Sequence, residues 1–236
     1  MKKIPVRFST FLCMMIVSCL FLVPHDVSAN DSTQARHLVQ KARMTLESFA
    51  AAPEMETLRS LLKSAQGVFI APQILRGAFV IGASGGSGVF LVRDKHRGDW
   101  AGPAFYTIGE ASFGFQIGGD ASEVVLVAMT ERGVNALLST SVKLGGDVGI
   151  AVGPVGAGAE ASTANLSADI ISFSRSKGLY GGISLEGAVV AVREGLNAAY
   201  YGKTVSPADI LIARSVDSEH AARLRAETAR LAGGKH

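Results

Sequence analysis

Glycine is concentrated in one stretch of this chain, and that stretch has to pack closely. Of the 27 glycines, 25 lie between Gly67 and Gly202, interspersed with valine, isoleucine, phenylalanine and alanine rather than with serine or proline. Glycine in a strand loses backbone entropy and contributes no side chain, so its repeated use indicates that another backbone, a helix or a ligand approaches closely. The pattern predicts packed β-structure that carries the functional surface.

The N-terminal residues predict export. Lys2, Lys3 and Arg7 accompany an almost wholly apolar run over residues 8–23, and small residues follow at 27–29. This order is typical of a secretory signal peptide, residues 1–29, cleaved after Ala29. An alternative stays open, because residues 16–19 (IVSC) resemble a lipobox in which Cys19 is acylated and begins a lipid-anchored protein.

Removal of the signal excludes several classes of function. Both cysteines, Cys13 and Cys19, lie within it, so residues 30–236 hold no thiol for a disulfide, a nucleophile or a metal site. These residues carry 20 basic and 19 acidic side chains, which gives no electrostatic case for nucleic acid as a partner. We expect no cofactor and no bound metal.

The hydrophobic pattern divides the chain into three parts after the signal. Apolar residues recur at helical spacing over residues 34–49 and again over 55–62, which predicts an N-terminal helical segment, residues 30–66. Short apolar runs separated by turns predict strands through a core of residues 67–215, with a helix capped by Thr130 and another begun by Ser206 and Pro207. A C-terminal helix is predicted within residues 216–236. The fold class is therefore α+β: a glycine-rich antiparallel β-sheet or partial barrel flanked by N-terminal and C-terminal helices.

Four of these glycines form a cluster at residues 82–88 (GASGGSG). Closely spaced glycines let backbone amides face an anion, so the cluster is interpreted as a turn between two strands or as a nest for a lipid head group. It has neither the ending of a phosphate-binding loop nor the glycine order of a dinucleotide fold.

The sequence does not predict an enzyme. Residues 67–202 contain one histidine, His96, which lies in a charged turn beside Lys95 and Arg97. A serine nucleophile needs a histidine within hydrogen-bond reach, and no Gly-x-Ser-x-Gly elbow occurs.

Several blocks of sequence resemble one known family. In chain order they are GVFIAP (67–72), FVIGASGGSGV (79–89), WAGPAFY (100–106), ASFGFQIGG (111–119), KLG (143–145), GPVG (153–156), SRSKGLY (174–180), SLEG (184–187) and AAYYG (198–202). These blocks are similar to those of the SYLF family. They are distributed in order across residues 45–215, with no SH3 or FYVE segment beside them, so we expect the domain to stand alone as a bacterial exported member.

The resemblance implies a non-enzymatic, phospholipid-binding module. Eukaryotic relatives bind phosphoinositides and couple membranes to actin, and bacterial relatives are exported proteins or lipoproteins. For an exported, periplasmic or envelope-associated protein, the expected partner is a phospholipid or a membrane surface. The alternative is a structural or protein-interaction protein of the envelope with no lipid ligand.

A binding surface is expected where glycine and alanine line the strands. Acyl chains would lie in a shallow groove, and a phosphate would meet basic side chains beside it. The residues assigned to the groove are Phe79, Phe90, Phe113 and Phe115, and those assigned to the phosphate are Arg76, Arg93, Lys143, Arg175 and Lys177.

Overall fold

A computed structural model describes residues 27–78, 81–94, 97–113, 118–156, 167–181 and 184–234, which form six α-helices and nine β-strands. The helices are α1 (Val27–Ala51), α2 (Glu56–Ser64), α3 (Glu131–Leu138), α4 (Glu194–Tyr201), α5 (Pro207–Leu211) and α6 (Ala222–Leu231). The strands are β1 (Gly67–Ala78), β2 (Ile81–Arg93), β3 (Trp100–Phe113), β4 (Gly118–Ala128), β5 (Ser141–Lys143), β6 (Ile150–Val152), β7 (Ile170–Ser176), β8 (Leu179–Gly181) and β9 (Val189–Val192).

All nine strands belong to one curled sheet. Eight follow the order β5-β9-β3-β2-β1-β4-β7-β6, and β8 pairs with the end of β7. Each pair is antiparallel except β6 with β7, which is parallel. The sheet forms a half-barrel with helices from both ends of the chain against it, which confirms the α+β prediction.

Alternate residues of the central strands enter two separate cores, because successive side chains of a strand point to opposite faces. On one face the strand residues pack with α1, α2, α4 and α6; they include Val68, Ile70, Val89, Leu91, Phe105, Val125, Val127, Ile171 and Phe173. On the other face they pack with α3 and α5; they include Phe69, Phe90, Tyr106, Ile108, Val124, Leu126 and Ile170. Both faces of the sheet centre are therefore covered.

The glycine cluster lies within a strand, which corrects its interpretation as a turn. Residues 82–88 belong to β2 and pair with both β1 and β3. Glycine is needed at position 88 because a neighbouring ring occupies the side-chain space: an added Cβ at Gly88 would stand 2.4 Å from Cζ of Phe69. The prediction of close approach is confirmed at Gly88, and at Gly153, where the ring of Phe173 comes equally close.

Local start signals are confirmed in two helices. The Thr130 side chain accepts a hydrogen bond from the Gly133 amide at the start of α3, and Ser206 forms a reciprocal capping box with Asp209 at the start of α5. Helix α1 contains the predicted span 34–49. Helix α4 was not predicted, since its eight residues include Gly195 and two tyrosines, which are weak helix formers.

Candidate functional site

The site candidate is a cleft between α1 and the adjoining strands of the sheet. It has a larger chamber of about 590 Å³ and a smaller one of about 380 Å³, and Lys41, Pro72 and Gln73 line both. Chambers of this size are within the range of small-molecule binding sites. Because three residues are shared, the two chambers lie next to each other, and we treat them as one candidate site.

One face of α1 forms the wall of the cleft. Asn30, Gln34, His37, Lys41 and Met44 recur every three or four residues and therefore lie on the same side of the helix. They extend over about 21 Å at 1.5 Å per residue. This wall is polar at its N-terminal end, cationic at Lys41 and apolar at Met44.

The opposite wall comes from strands β1, β2, β4 and β7. In the larger chamber it consists of Leu75 and residues 85–87. In the smaller chamber it consists of Ala121 and Glu123 of β4, Arg175 of β7, and the turn residues Lys177 and Gly178. On the strand side the larger chamber is thus neutral, whereas the smaller one is lined by charged groups.

A β-bulge places the shared residues in the cleft. The register of β1 shifts between Ile70 and Gln73 against β2, and between Ala71 and Ile74 against β4. An extra residue at this point kinks the strand and changes the direction of its side chains. Proline suits this position because its missing N–H is not needed where the ladder is interrupted. The bulge therefore carries Pro72 and Gln73 to the boundary between the chambers.

Arg175 is held in a half-buried network at one end of the cleft. It forms an ion pair with Glu123, and its Nη1 donates to Oγ of Ser48 at 2.5 Å and to Oη of Tyr180 at 3.0 Å. Its guanidinium also lies over the rings of Phe49 and Tyr180. Burial opposes the charged form, but the hydrogen bond and the charge of Glu123 outweigh it and raise the pKa of Arg175.

The remaining cations of the cleft are more accessible. Lys41 and Lys177 are exposed, and neither forms an ion pair with the residues that the structure describes. The carboxylate of Glu123, in contrast, is engaged by Arg175 and accepts a hydrogen bond from Thr45 at 2.9 Å. An anion entering the cleft would meet two exposed lysines, of which Lys177 also attracts the nearby carboxylate of Asp120.

The structure brings two of the predicted phosphate residues together and separates the others. Arg175 and Lys177 both line the smaller chamber. Arg76 pairs with Asp120 across β1 and β4. At the far end of β2, Arg93 donates to the carbonyl of Lys63, and Lys143 belongs to β5 near the sheet edge. The five basic residues therefore do not form one site.

Of the four phenylalanines of the predicted groove, the structure describes the side chain of Phe90 alone. Phe90 is fully buried, in edge contact with Tyr106, so its assignment to an open groove is corrected. Its side chain lies in the core between the sheet and helices α3 and α5, where a lipid has no access. Phe79 and Phe115 lie outside the described residues, as does Cys19, and only the strand position of Phe113 is described, at the end of β3.

Sequence reasoning missed the α1 side of the cleft. His37 and Lys41 stand among the polar residues of an amphipathic helix, a pattern that predicts solvent exposure and not which strands lie nearby. Gln73 has no sequence signal beyond the neighbouring Pro72. Their convergence depends on how α1 docks, which helical spacing alone does not determine.

The described ranges contain neither a metal-binding cluster nor a membrane-spanning helix. No group of three or more histidine, cysteine, aspartate or glutamate side chains comes together there in a way that could hold a metal ion. Nor does any helix in those ranges have the length and apolar character needed to cross a membrane.

The chain is similar in sequence to one protein family and to several known proteins. Residues 109–230 match the family described as Ysc84, Las17-binding protein actin regulator. The "SH3 domain-containing YSC84-like protein 1" of Homo sapiens is 32% identical over 153 residues, which is 64% of this chain and 44% of that protein. "Protein YSC84" of Saccharomyces cerevisiae is 33% identical over 159 residues, which is 65% of this chain and 33% of that protein.

A third relative matches to a similar extent. The "SH3 domain-containing YSC84-like protein 1" of Xenopus laevis is 34% identical over 145 residues, which is 61% of this chain and 43% of that protein. The chain thus spans less than half the length of each of these relatives. Since the family match covers more than half of the chain, from β3 through most of α6, the chain belongs to the Ysc84 family, whose shared domain is also called SYLF.

Proposed function

We propose that this chain is a non-enzymatic phospholipid-binding module of the bacterial cell envelope. The observation that carries the proposal is the cleft between α1 and the sheet, where exposed Lys41 and Lys177 adjoin the half-buried Arg175. Phosphate groups are bound well by lysine and arginine through charge-assisted hydrogen bonds. Phospholipid binding is also what the SYLF resemblance implies.

The rim of the cleft suits an amphipathic ligand. Met44 and Leu75 are 61% and 57% exposed, one in each chamber. Large exposed apolar side chains next to cations are typical of surfaces that meet a lipid interface. A head group would lie at Lys41, and the apolar part of the lipid would contact the methionine and the leucine.

Two hydroxyl groups of the cleft, those of Ser87 and Thr45, support a binding role over catalysis. Ser87 accepts a hydrogen bond from Nη1 of Arg193 at 2.8 Å, and a guanidinium cannot act as a base toward it. Thr45 donates to Glu123 but is only 3% exposed, so a substrate has no access to its oxygen. We therefore propose that the protein holds its ligand without chemical turnover.

The proposed location follows from the N-terminal residues. We propose export, with cleavage after Ala29 or acylation at Cys19, and a periplasmic or envelope-associated protein in either case. The intact mass of the protein isolated from the envelope separates the two routes. A chain beginning at Asn30 supports cleavage, a lipid-modified chain beginning at Cys19 supports anchoring, and an unprocessed chain contradicts export.

A vesicle flotation assay tests lipid binding. The double variant Lys41→Ala and Lys177→Ala should lose most binding to anionic vesicles, because its two exposed cations in the cleft are gone. The matched control is Lys63→Ala with Lys203→Ala, which removes two exposed lysines outside the cleft lining and changes the net charge equally. Equal loss in both double variants, or no loss in the first, contradicts the proposed site.

The family description favours a second candidate, a protein-interaction module. The matched family is described as Las17-binding, and a relative in Saccharomyces cerevisiae is named "LAS seventeen-binding protein 3". On this alternative the cleft would accept a peptide segment, and the protein would show no preference for anionic over neutral vesicles. A stable protein partner together with that lack of preference would replace the lipid proposal.

A further inference from the structure

The larger chamber carries an unusual set of neutral hydrogen-bonding groups. Three carboxamides line it, from Asn30 and Gln34 of α1 and Gln73 of the β1 bulge. Each carboxamide offers a carbonyl acceptor and two N–H donors. Among the described residues, none of the three side chains has a hydrogen-bond partner within the protein, so all three are available to a ligand.

The charges around this chamber are of one sign. Among the described residues that line it, His37 and Lys41 are ionisable and none is a carboxylate. The smaller chamber differs, because Glu123 lies there beside Arg175. A ligand group in the larger chamber therefore meets neutral amides and a cation, and finds no negative group to pair with a positive charge.

The neutral carboxamides and the positive charge of Lys41 together favour some lipid head groups over others. Hydroxyl groups both donate and accept hydrogen bonds, so they match carboxamides in either orientation. An ammonium group only donates, and its charge would be repelled by Lys41. A trimethylammonium group has no N–H to donate and would leave the amides without partners.

We propose that the larger chamber binds the hydroxyl groups of a glycerol phosphate ester, the head group of phosphatidylglycerol. This rests on the proposed function and names the chemistry of its ligand. The phosphate lies at Lys41, on the boundary of the two chambers, and the hydroxyls lie between Gln34 and Gln73. The bulge supports this arrangement because it fixes the backbone from which Gln73 extends.

Vesicles that differ only in head group test the proposal. Neutral phosphatidylcholine vesicles receive equal mole fractions of phosphatidylglycerol or phosphatidylserine, which carry the same net charge, and affinity is measured for the full chain. Two additional hydrogen bonds correspond to roughly a tenfold preference for phosphatidylglycerol. Gln34→Leu should abolish that preference while binding to phosphatidylserine stays unchanged.

A matched control lies on the same helix. Gln40 is also an exposed glutamine of α1, but it lies near His220 and outside both chambers. Gln40→Leu should keep the full preference for phosphatidylglycerol. A preference lost equally in Gln40→Leu and Gln34→Leu would overturn the assignment to the chamber.

The outcomes separate this inference from the proposed function. Equal affinity of the unaltered chain for the two anionic vesicles overturns the inference and leaves lipid binding intact. Absence of binding to every anionic vesicle overturns the proposed function itself. Competition by soluble glycerol phosphate supports the same chemistry and assigns it to a free polyol phosphate, whereas a preference that persists without such competition assigns it to the lipid.

Discussion

The carbonyl oxygen of Gln73 lies 2.1 Å from the point where a Cβ atom would stand on Gly86. The bulged backbone of β1 is therefore pressed against the bare backbone of β2, and only glycine leaves room for it. Since Gln73 and Gly86 both line the larger chamber, the same contact that fixes the bulge also shapes the floor of the cleft.

Replacing Gly86 should destabilise the fold more than replacing a glycine whose side-chain space is empty. Gly86→Ala forces the Gln73 carbonyl to move and should lower the free energy of unfolding by about 1–3 kcal/mol, the usual range for overpacking. Gly77→Ala is the control, because no atom lies within 4 Å of its added Cβ, and it should be nearly neutral. Urea unfolding measures both, and equal effects would show that the contact does not determine the cost.

The ion pair between Arg175 and Glu123 should stabilise the docking of α1. Glu123→Gln leaves a half-buried guanidinium without its anion and should reduce the free energy of unfolding by about 2 kcal/mol. The control is Glu47→Gln, which breaks a more exposed pair with Arg43 within α1 and should cost less than about 0.5 kcal/mol. Thermal and urea unfolding of the two variants distinguish a network from an ordinary surface pair.

The side chain of Asn197 pairs with the backbone of β3 at a point where β3 has no neighbouring strand on that side. Its Oδ1 accepts from the Phe105 amide at 2.9 Å and its Nδ2 donates to the Phe105 carbonyl at 3.3 Å, just where the pairing with β9 ends. The carbonyl has a second donor in the Arg193 amide, but the Phe105 N–H depends on Asn197.

Removing this side chain should leave a buried donor unpaired. Asn197→Leu has a similar volume and should cost about 2 kcal/mol or more in the free energy of unfolding. Asn135→Leu changes the same residue type at an exposed position of α3 and should cost little. A neutral Asn197→Leu would mean that the Phe105 N–H finds another partner.

The free energy of unfolding should depend on pH because of His220. Desolvation, followed by the charge of Arg36, lowers the pKa of this imidazole below its ordinary 6.5. Between those two pKa values the unfolded chain binds the proton more readily than the folded one, so stability falls as the pH falls from about 7 through the folded-state pKa. His220→Gln should flatten the curve between pH 7 and pH 5, and an unchanged slope would contradict the assignment.

Local sequence signals predicted the parts of the fold that depend on neighbours in the chain. The cap at Thr130 and the capping box begun by Ser206 concern residues within three positions of each other. Composition, in contrast, did not distinguish a turn from a strand at residues 82–88. Gly88 and Gly86 are required by Phe69 and Gln73 of another strand, and these contacts are invisible before β1 and β2 are paired.

The sequence could group only those cleft residues that lie close together in the chain. Arg175 and Lys177 belong to one hairpin, so their proximity follows from their spacing. The partner of Arg175 is Glu123, 52 positions earlier, and the opposing wall comes from Lys41 on a helix whose docking direction is set by the whole core. Long-range convergence of this kind depends on tertiary packing rather than on periodicity.

The central claim is that lipid meets the α1 side of the sheet, and a fluorescent label on that side tests it most directly. With Cys13 and Cys19 replaced by serine, a single cysteine at Met44→Cys or at Ile212→Cys carries an environment-sensitive dye. Both positions are well exposed, but Ile212 follows α5 on the opposite face of the sheet. Phosphatidylglycerol vesicles should shift the emission of the dye at position 44 to the blue and leave the dye at position 212 unchanged. A shift at position 212 without one at position 44 would contradict the account.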